Sequence, residues 1–205
     1  MEPHNRIVKT VFFDVDTQLD FLYPAGALYV PGAEKLIDSL AALTRYASGN
    51  DIQIISTADA HTEDDPEFAT WKPHCVAGTF GQQKAGVTLL NQAKVLSTQA
   101  DALNQLHPAL NVARQIIVEK QKLDAFTNPH LGPLLDVLKA DRFVLYGVVT
   151  ELCVRSAAFG LLDRGARVEL VVDATQGLHA PKERDFLDEF ELRSGTLTTV
   201  GEVTA

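Results

Sequence analysis

Short apolar runs rich in β-branched residues alternate along the chain with segments in which apolar residues recur every three or four positions. Six of the short runs are predicted to be β-strands: residues 10–16, 52–58, 114–120, 142–149, 167–174 and 195–200. Most of them are apolar at nearly every position, which is typical of parallel strands covered on both faces. The pattern therefore predicts a mainly parallel sheet.

Three of the intervening segments have helical periodicity: residues 31–47, 128–140 and 150–165. The first begins with Pro31, whose fixed φ suits the first turn of a helix, and the third ends at Gly165, a usual helix terminator. Alternation of strands and helices predicts an α/β fold with three layers, a doubly wound, mainly parallel, six-stranded sheet with helices on both faces. The stretch from about 75 to 113 is less regular, and no element is predicted there.

The composition is that of one globular domain spanning residues 1–205, because 205 residues with 46% hydrophobic content can bury a sizeable core. No apolar run reaches the roughly 20 residues needed to span a bilayer, and the first ten residues lack the apolar stretch of a signal peptide. We therefore expect a cytoplasmic protein with no membrane partner. The net charge of -9 argues against nucleic-acid binding, which depends on Lys and Arg, and favours a small-molecule partner.

Polar side chains follow four of the predicted strands. Asp16 ends the first strand, Asp59 and His61 follow the second, Lys120 ends the third, and the fourth leads into Cys153. Taken singly, each has an ordinary structural explanation, such as a cap, a solvated charge or a core thiol. Ligands of open parallel sheets bind beyond the carboxyl ends of the strands, so these groups are expected to converge at one site.

The surroundings of Cys153 indicate a nucleophile. Thr150 in "TELC" is predicted to be the N-cap of a helix, which places the sulfur in the first turn, where free N–H groups favour the thiolate. Lys120 would add a positive charge, and Asp16 can act as the base that a cysteine nucleophile needs. The other cysteine of the chain, Cys75, has no such neighbours, and two cysteines are too few for a disulfide framework.

Four motifs in order resemble the isochorismatase-like cysteine hydrolases, in particular their nicotinamidase branch. They are "DTQLDF" from Asp16, "YPAGALYVPGA" after it, "VEK" ending at Lys120 and "YGVVTELCV" containing Cys153. The resemblance covers about residues 10 to 180. It implies the catalytic set Asp16, Lys120 and Cys153, and it assigns the catalytic aspartate to Asp16 rather than Asp14.

A metal site is the second implication of the resemblance. Asp59, His61 and His74 offer one carboxylate and two imidazoles, a ligand set suited to zinc, manganese or iron(II). From spacing alone, loop residues without a metal would be the better interpretation. Nicotinamidases, however, carry a D-x-H and a later H-C with tryptophan three residues before the histidine, as Trp71 stands here. One divalent ion is thus expected, and zinc is the first candidate. Cys75 is expected to be a buried neighbour of the site and not a ligand. Glu63, Asp64 and Asp65 are expected to lie on a solvated loop face.

The resemblance implies hydrolysis of a small amide, first of all nicotinamide to nicotinate and ammonia, through a thioester at Cys153. Phe21 and Trp71 are expected to line the substrate pocket. The backbone N–H groups of Val149 and Cys153 are expected to form the oxyanion hole, with a cis peptide bond between Val148 and Val149.

Departures from the nicotinamidase pattern leave the substrate open. The chain has "TELC" in place of T-D-Y-C, Lys72 in place of the proline after the tryptophan, and "QKLDAFTNPHL" after the lysine motif. The alternatives are another C–N hydrolase of the superfamily, acting on a ureido, carbamoyl or biuret-like compound, or a non-catalytic binding protein on the same fold. We expect a homo-oligomer that binds a small amide and no nucleic acid.

Overall fold

A single parallel sheet forms the centre of the protein. The structure is a computed structural model that describes residues 8–98 and 113–205. Its strands lie in the order β3-β4-β2-β1-β5-β6-β7 and all pair in parallel. They are β1 (Thr10–Val15), β2 (Gln53–Asp59), β3 (Ala93–Leu96), β4 (Gln115–Lys120), β5 (Arg142–Val148), β6 (Arg167–Gln176) and β7 (Thr196–Thr198).

The predicted class of fold is confirmed, but the count of six strands is wrong. The additional strand is β3, which lies at the sheet edge in the stretch where no element was predicted. It has four residues, of which Lys94 and Val95 are exposed, so it lacks the continuous apolar run that marks the other strands. The less regular stretch also includes residues 99–112, which lie outside the described residues.

In the part of the chain that the structure describes, six helices accompany the strands: α1 (Leu19–Leu22), α2 (Ile37–Gly49), α3 (Leu131–Leu138), α4 (Arg155–Asp163), α5 (Ala180–Leu192) and α6 (Val200–Val203). Short 3₁₀ turns occur at Ala33–Leu36, Pro66–Ala69, Gly86–Thr88 and Ala125–Thr127, and a π-helical turn at Thr150–Val154 precedes α4. Within residues 8–98 and 113–205 no helix has the length and apolar character that crossing a bilayer requires.

The two faces of the sheet each carry a hydrophobic core. Alternate residues of β1 illustrate the division, because Phe13 packs in the cluster that includes α3, α4 and α5, whereas Phe12 packs in the cluster that includes α2 and α6. The helix α5 was not predicted from the sequence. Its buried side chains are Phe186 and Phe190 alone, so its apolar stripe is too narrow to stand out from its many charged residues.

The chain order of the strands creates a switch point at β1. From β1 the chain crosses to β2 on one side, and later from β4 to β5 on the other, so β1 lies between β2 and β5. A crevice forms beyond the carboxyl ends of strands at such a point. Gly147, near the end of β5, has φ +120 and no room for a Cβ, which would lie 2.1 Å from the carbonyl oxygen of Val15.

Candidate active site

The four predicted strand-end residues meet at the carboxyl edge of the sheet. Lys120 lies at their centre, with its Nζ 2.8 Å from Asp16 Oδ2, 2.5 Å from Asp59 Oδ1 and 3.7 Å from Cys153 Sγ. All four side chains are buried. This arrangement follows from the register, in which Lys120 at the end of β4 lies beside Asp59 at the end of β2.

Asp16 lies just beyond β1 in a left-handed backbone conformation, with φ +51. Its N–H is 3.2 Å from Thr57 Oγ1 and 3.3 Å from the Thr57 carbonyl oxygen, both of which can accept it. The Thr57 hydroxyl in turn donates to Asp16 Oδ1 at 2.6 Å. One carboxylate oxygen is thereby held by β2, and the other is directed at Lys120.

The prediction that Thr150 is a helix N-cap is wrong. Thr150 is the first residue of the π-helical turn, and its hydroxyl lies 2.9 Å from that of Thr175 on β6 instead of accepting a backbone N–H of the helix. The N-cap position belongs to Val149, whose carbonyl accepts from Leu152 and Val154. The π turn still places Cys153 one turn before α4, directly beside Lys120.

The four ionisable groups strongly affect one another's protonation. Burial alone would lower the pKa of Lys120, but the charges of Asp16 and Asp59 raise it well above its ordinary value. Burial acts to raise the pKa of Asp59, yet Lys120 and the two neighbouring imidazoles hold it below its ordinary value. The pKa of Asp16 is raised, mainly by burial and then by the charge of Asp59, against the opposing effect of Lys120.

Lys120 acts on Cys153 in the expected direction, but the expectation that the resting sulfur is a thiolate is wrong. Burial raises the pKa of Cys153 well above its usual range, and the charges of Asp16 and Asp59 add to this effect. Lys120 lowers it, but that lysine already pairs with both carboxylates. The resting sulfur is therefore a thiol that must lose its proton during the reaction.

A buried thiol of this kind should react with an alkylating reagent only at a higher pH than an ordinary cysteine does. In a Cys75→Ala background, the iodoacetamide rate at Cys153 is expected to rise only above the pH of about 8.5 at which ordinary cysteines ionise. The rate measured from pH 6 to 10 shows whether alkylation is still rising at the upper end, and the shape of that profile is independent of how accessible the sulfur is. A plateau reached below pH 8 would contradict the assignment of a resting thiol.

The three predicted metal ligands form one group. Donor atoms of Asp59, His61 and His74 lie within 4.8 Å of one another. The Nε2 atoms of His61 and His74 are 3.8 and 3.7 Å from Asp59 Oδ2. The His61 Nε2 is buried and has no hydrogen-bond partner, which costs free energy in the absence of an electrophile. One carboxylate and two imidazoles converging in this way fit a divalent metal ion.

Hydrogen bonds at Nδ1 orient both imidazoles so that their Nε2 atoms are directed at the three-residue donor group. His74 Nδ1 lies 2.7 Å from the Lys72 carbonyl oxygen, to which it donates, and His61 Nδ1 lies 3.0 Å from Asp65 Oδ2. Such partners orient metal-ligating histidines and set their tautomer. Asp65 was predicted to lie on a solvated loop face, which is wrong because it is only 6% exposed. Its spacing of four residues from His61 was the available signal.

A pocket opens above these groups. Asp16, Asp59, His74 and Cys153 lie along it, and both predicted aromatic residues, Phe21 and Trp71, contribute to its wall. Further wall residues are Leu28 and Tyr29 of "YPAGALYVPGA", Leu152 of "YGVVTELCV", and Leu123 and Leu178, which lie outside the recognised motifs. Cys75 is fully buried and lies outside the group of metal donors, as expected.

The Val148–Val149 peptide bond is cis, as predicted. Val149 and Cys153 line the same pocket, so their backbone N–H groups belong to the same small region of the site. Their role as an oxyanion hole stays a prediction.

Fold and site together define a hydrolase, and the chain belongs to the isochorismatase family, whose Isochorismatase domain model matches residues 10–202. The nicotinamidase/pyrazinamidase of Mycobacterium tuberculosis is 28% identical over 204 residues, covering 88% of this chain and 93% of that protein. The crystal structure of the pyrazinamidase of Pyrococcus horikoshii in complex with zinc is 26% identical, with a TM-score of 0.78 over 93% of this chain and 99% of that one.

A second solved structure shares the fold. The N-carbamoylsarcosine amidase of Thermoplasma acidophilum matches with a TM-score of 0.75 and 22% identity, over 94% of this chain and 96% of that one. The chain is similar to the nicotinamidase-like branch of the family and is a hydrolase acting on amide C–N bonds.

Proposed function

We propose that the protein is a metal-assisted cysteine amidohydrolase that converts nicotinamide to nicotinate and ammonia through a thioester at Cys153. The observation that carries this proposal is the buried cluster of Asp16, Lys120 and Cys153 at the floor of an apolar pocket. A binding protein would gain nothing from burying a lysine, two carboxylates and a thiol together, because each buried charge costs free energy.

The proposed reaction begins with proton transfer from the Cys153 thiol to Asp16. The sulfur then attacks the amide carbonyl, and the negative charge that develops on oxygen is stabilised by the N–H groups of Val149 and Cys153. Asp16 returns the proton to the departing nitrogen, which leaves as ammonia. A water molecule next attacks the thioester, releasing the carboxylic acid and restoring the thiol. The raised pKa of Asp16 suits this role, since it brings the carboxylate closer to the operating pH.

Lys120 supplies the positive charge that offsets the two buried carboxylates of the site. Pairing with Asp16 and Asp59 favours their ionised forms, so that Asp16 can be an acceptor in spite of its burial. Asp59, His61 and His74 would hold the metal, for which we propose zinc. The bound ion would supply Lewis-acid contact to the ring nitrogen of the substrate or to a water.

The wall of the pocket supports a neutral aromatic substrate. Phe21 and Trp71 offer flat apolar surfaces, and the Phe21 ring centroid is 5.4 Å from that of His74. Among the described residues that line the pocket, none is an arginine or a lysine. A substrate bearing a carboxylate, such as an N-carbamoyl amino acid, would thus find no basic side chain on the pocket wall to pair with, whereas nicotinamide needs none.

An ammonia-release screen tests the proposed function. With metal-loaded protein, kcat/KM for nicotinamide and pyrazinamide is expected to exceed that for N-carbamoylsarcosine by at least about 10-fold, since an unpaired buried carboxylate costs several kcal/mol. It should also exceed that for biuret, which is neutral but has no aromatic ring to pack against Phe21 and Trp71. Turnover confined to the ureido compounds would replace the proposed substrate with the runner-up class. Ammonia release from none of the four compounds would overturn the proposed function.

A further inference from the structure

A row of buried polar side chains crosses the sheet beneath the active site. Asp14 on β1, Ser56 on β2 and Gln115 on β4 lie on the face of the sheet that carries α2, and each is almost fully buried. The Ser56 hydroxyl donates to Asp14 Oδ2 at 3.0 Å, and Gln115 Nε2 donates to the Ser56 hydroxyl at 2.8 Å. Such positions are normally apolar, so the row calls for an explanation.

The segment of residues 84–90 covers this row. Lys84 Nζ lies 2.9 Å from Asp14 Oδ2, and the lysine is 6% exposed. Gln115 donates to the Thr88 carbonyl and accepts from the Leu90 N–H, both at 2.8 Å. A buried ion pair of this kind is not by itself a net source of stability, because the desolvation of both charges offsets their attraction.

Thr17 joins the ion pair to the active site. Its hydroxyl accepts from Lys84 Nζ at 2.7 Å and donates to Asp14 Oδ1 at 2.8 Å. Its carbonyl accepts from the Ala85 N–H at 2.9 Å. Thr17 is therefore held through its side chain and its backbone, and it directly follows Asp16, whose φ of +51 needs support from the surrounding structure.

We propose that Asp14, Lys84 and Thr17 are positioning residues that hold the left-handed turn at Asp16, and so direct its carboxylate at Cys153 and Lys120. Thr57 on β2 hydrogen-bonds to Asp16 itself, and the Asp14–Lys84 pair hydrogen-bonds to Thr17, the residue that follows it. The inference rests on the proposed function, in which Asp16 carries the proton. Neither Asp14 nor Lys84 belongs to the four motifs that carry the family resemblance.

The variant Thr17→Val tests the proposal with little change in shape. It removes the bridging hydroxyl and leaves the ion pair in place. We expect kcat to fall at least about 10-fold with KM within about 2-fold, because a displaced base slows proton transfer while the pocket wall is unchanged. The matched control is Thr44→Val, which removes another buried hydroxyl, donated within α2 to the Leu40 carbonyl. It should leave kcat within about 2-fold of the parent.

A double variant separates positioning from stability. Lys84→Met alone would leave Asp14 as an unpaired buried charge and lower the Tm, whereas Asp14→Leu combined with Lys84→Met removes both charges. In the double variant we expect the Tm to recover toward that of the parent, while kcat remains at least about 10-fold low, since the Thr17 hydroxyl has lost Asp14 and Lys84 and keeps only Thr88 Oγ1. Recovery of kcat together with Tm would show that the pair serves stability alone, and would overturn the proposal.

A measurement that needs no substrate separates this proposal from the proposed function. It applies even if the parent hydrolyses no amide. The quantity measured is the rate at which iodoacetamide alkylates Cys153 at pH 8, in a Cys75→Ala background. The carboxylate of Asp16 opposes ionisation of the thiol, so its displacement in Thr17→Val should raise the rate at least about 3-fold relative to Thr44→Val. Equal rates in Thr17→Val and Thr44→Val would overturn the proposal, as would an equal kcat where the parent is active.

Discussion

Replacing Cys153 by alanine is expected to lower the rate of amide hydrolysis at least about 10³-fold, the scale seen when an enzyme loses its nucleophile. The sulfur lies 3.7 Å from Lys120 Nζ at the floor of the pocket, and no other thiol shares that position in the described structure. Initial rates of ammonia release with metal-loaded protein give the measurement. A Cys153→Ala variant with more than a tenth of the parent activity would contradict the mechanism.

Cys75→Ala is the matched control for this experiment. Cys75 is also buried, and burial raises its pKa far above the ordinary range, so both thiols are protonated at rest. The two differ in what surrounds them, because the Cys75 N–H donates to Asp20 Oδ2 at 2.7 Å, whereas the Cys153 sulfur lies 3.7 Å from Lys120 Nζ. The variant loses one small buried side chain, and we expect it to keep most of the activity.

His61→Ala should reduce bound metal from about one ion per chain to less than about a tenth of that. The variant removes one of three ligands and leaves Asp65, the partner of His61 Nδ1, without its hydrogen bond. Loss of a metal ligand from a three-residue site weakens metal binding far more than loss of a residue that only hydrogen-bonds to a ligand, which lowers metal affinity about 10- to 100-fold. Elemental analysis after dialysis against metal-free buffer gives the ratio of metal to protein.

His179→Ala provides the comparison for the metal measurement. Its side chain is exposed and lies outside the three-residue donor group. It should bind as much metal as the parent after the same dialysis. Equal metal content in His61→Ala and His179→Ala would count against the assignment of Asp59, His61 and His74. The parent should also lose its ammonia-release activity after chelation and regain it when zinc is returned.

The sequence predicts the fold well because parallel strands buried on both faces leave a local signal. Continuous apolar runs mark β1, β2, β4, β5 and β6, and the side chains that follow several of them meet because parallel strands end at one edge. Edge strand β3 has no such signal, since half of its residues are exposed. Its pairing with β4 depends on the assembled sheet, because its own four residues have no strand pattern.

Contacts between distant segments are the part that the sequence did not reveal. Thr150 has the residue type of an N-cap, but its hydroxyl pairs with Thr175, 25 residues away. Lys84 pairs with Asp14 although 70 residues separate them, and no local pattern marks either as buried. In each case a tertiary partner outweighs the local preference.

The protonation of the site also depends on the assembled structure. From the sequence, a cysteine in the first helical turn beside a lysine indicates a thiolate. In the structure burial raises the pKa of Cys153, the two carboxylates that share the lysine add to this effect, and the thiol is therefore favoured. The mechanism therefore requires a base next to the sulfur at the moment of attack, which makes the position of Asp16 as important as its presence.

Trapping of the acyl group tests the central claim most directly. A thioester at Cys153 would be intercepted by hydroxylamine, so turnover of nicotinamide in its presence should yield nicotinohydroxamate together with nicotinate, with the hydroxamate share rising with hydroxylamine concentration. The Cys153→Ala variant should form neither product. Nicotinate as the only product of the parent at every hydroxylamine concentration, or hydroxamate formed equally by Cys153→Ala, would contradict a covalent intermediate on Cys153.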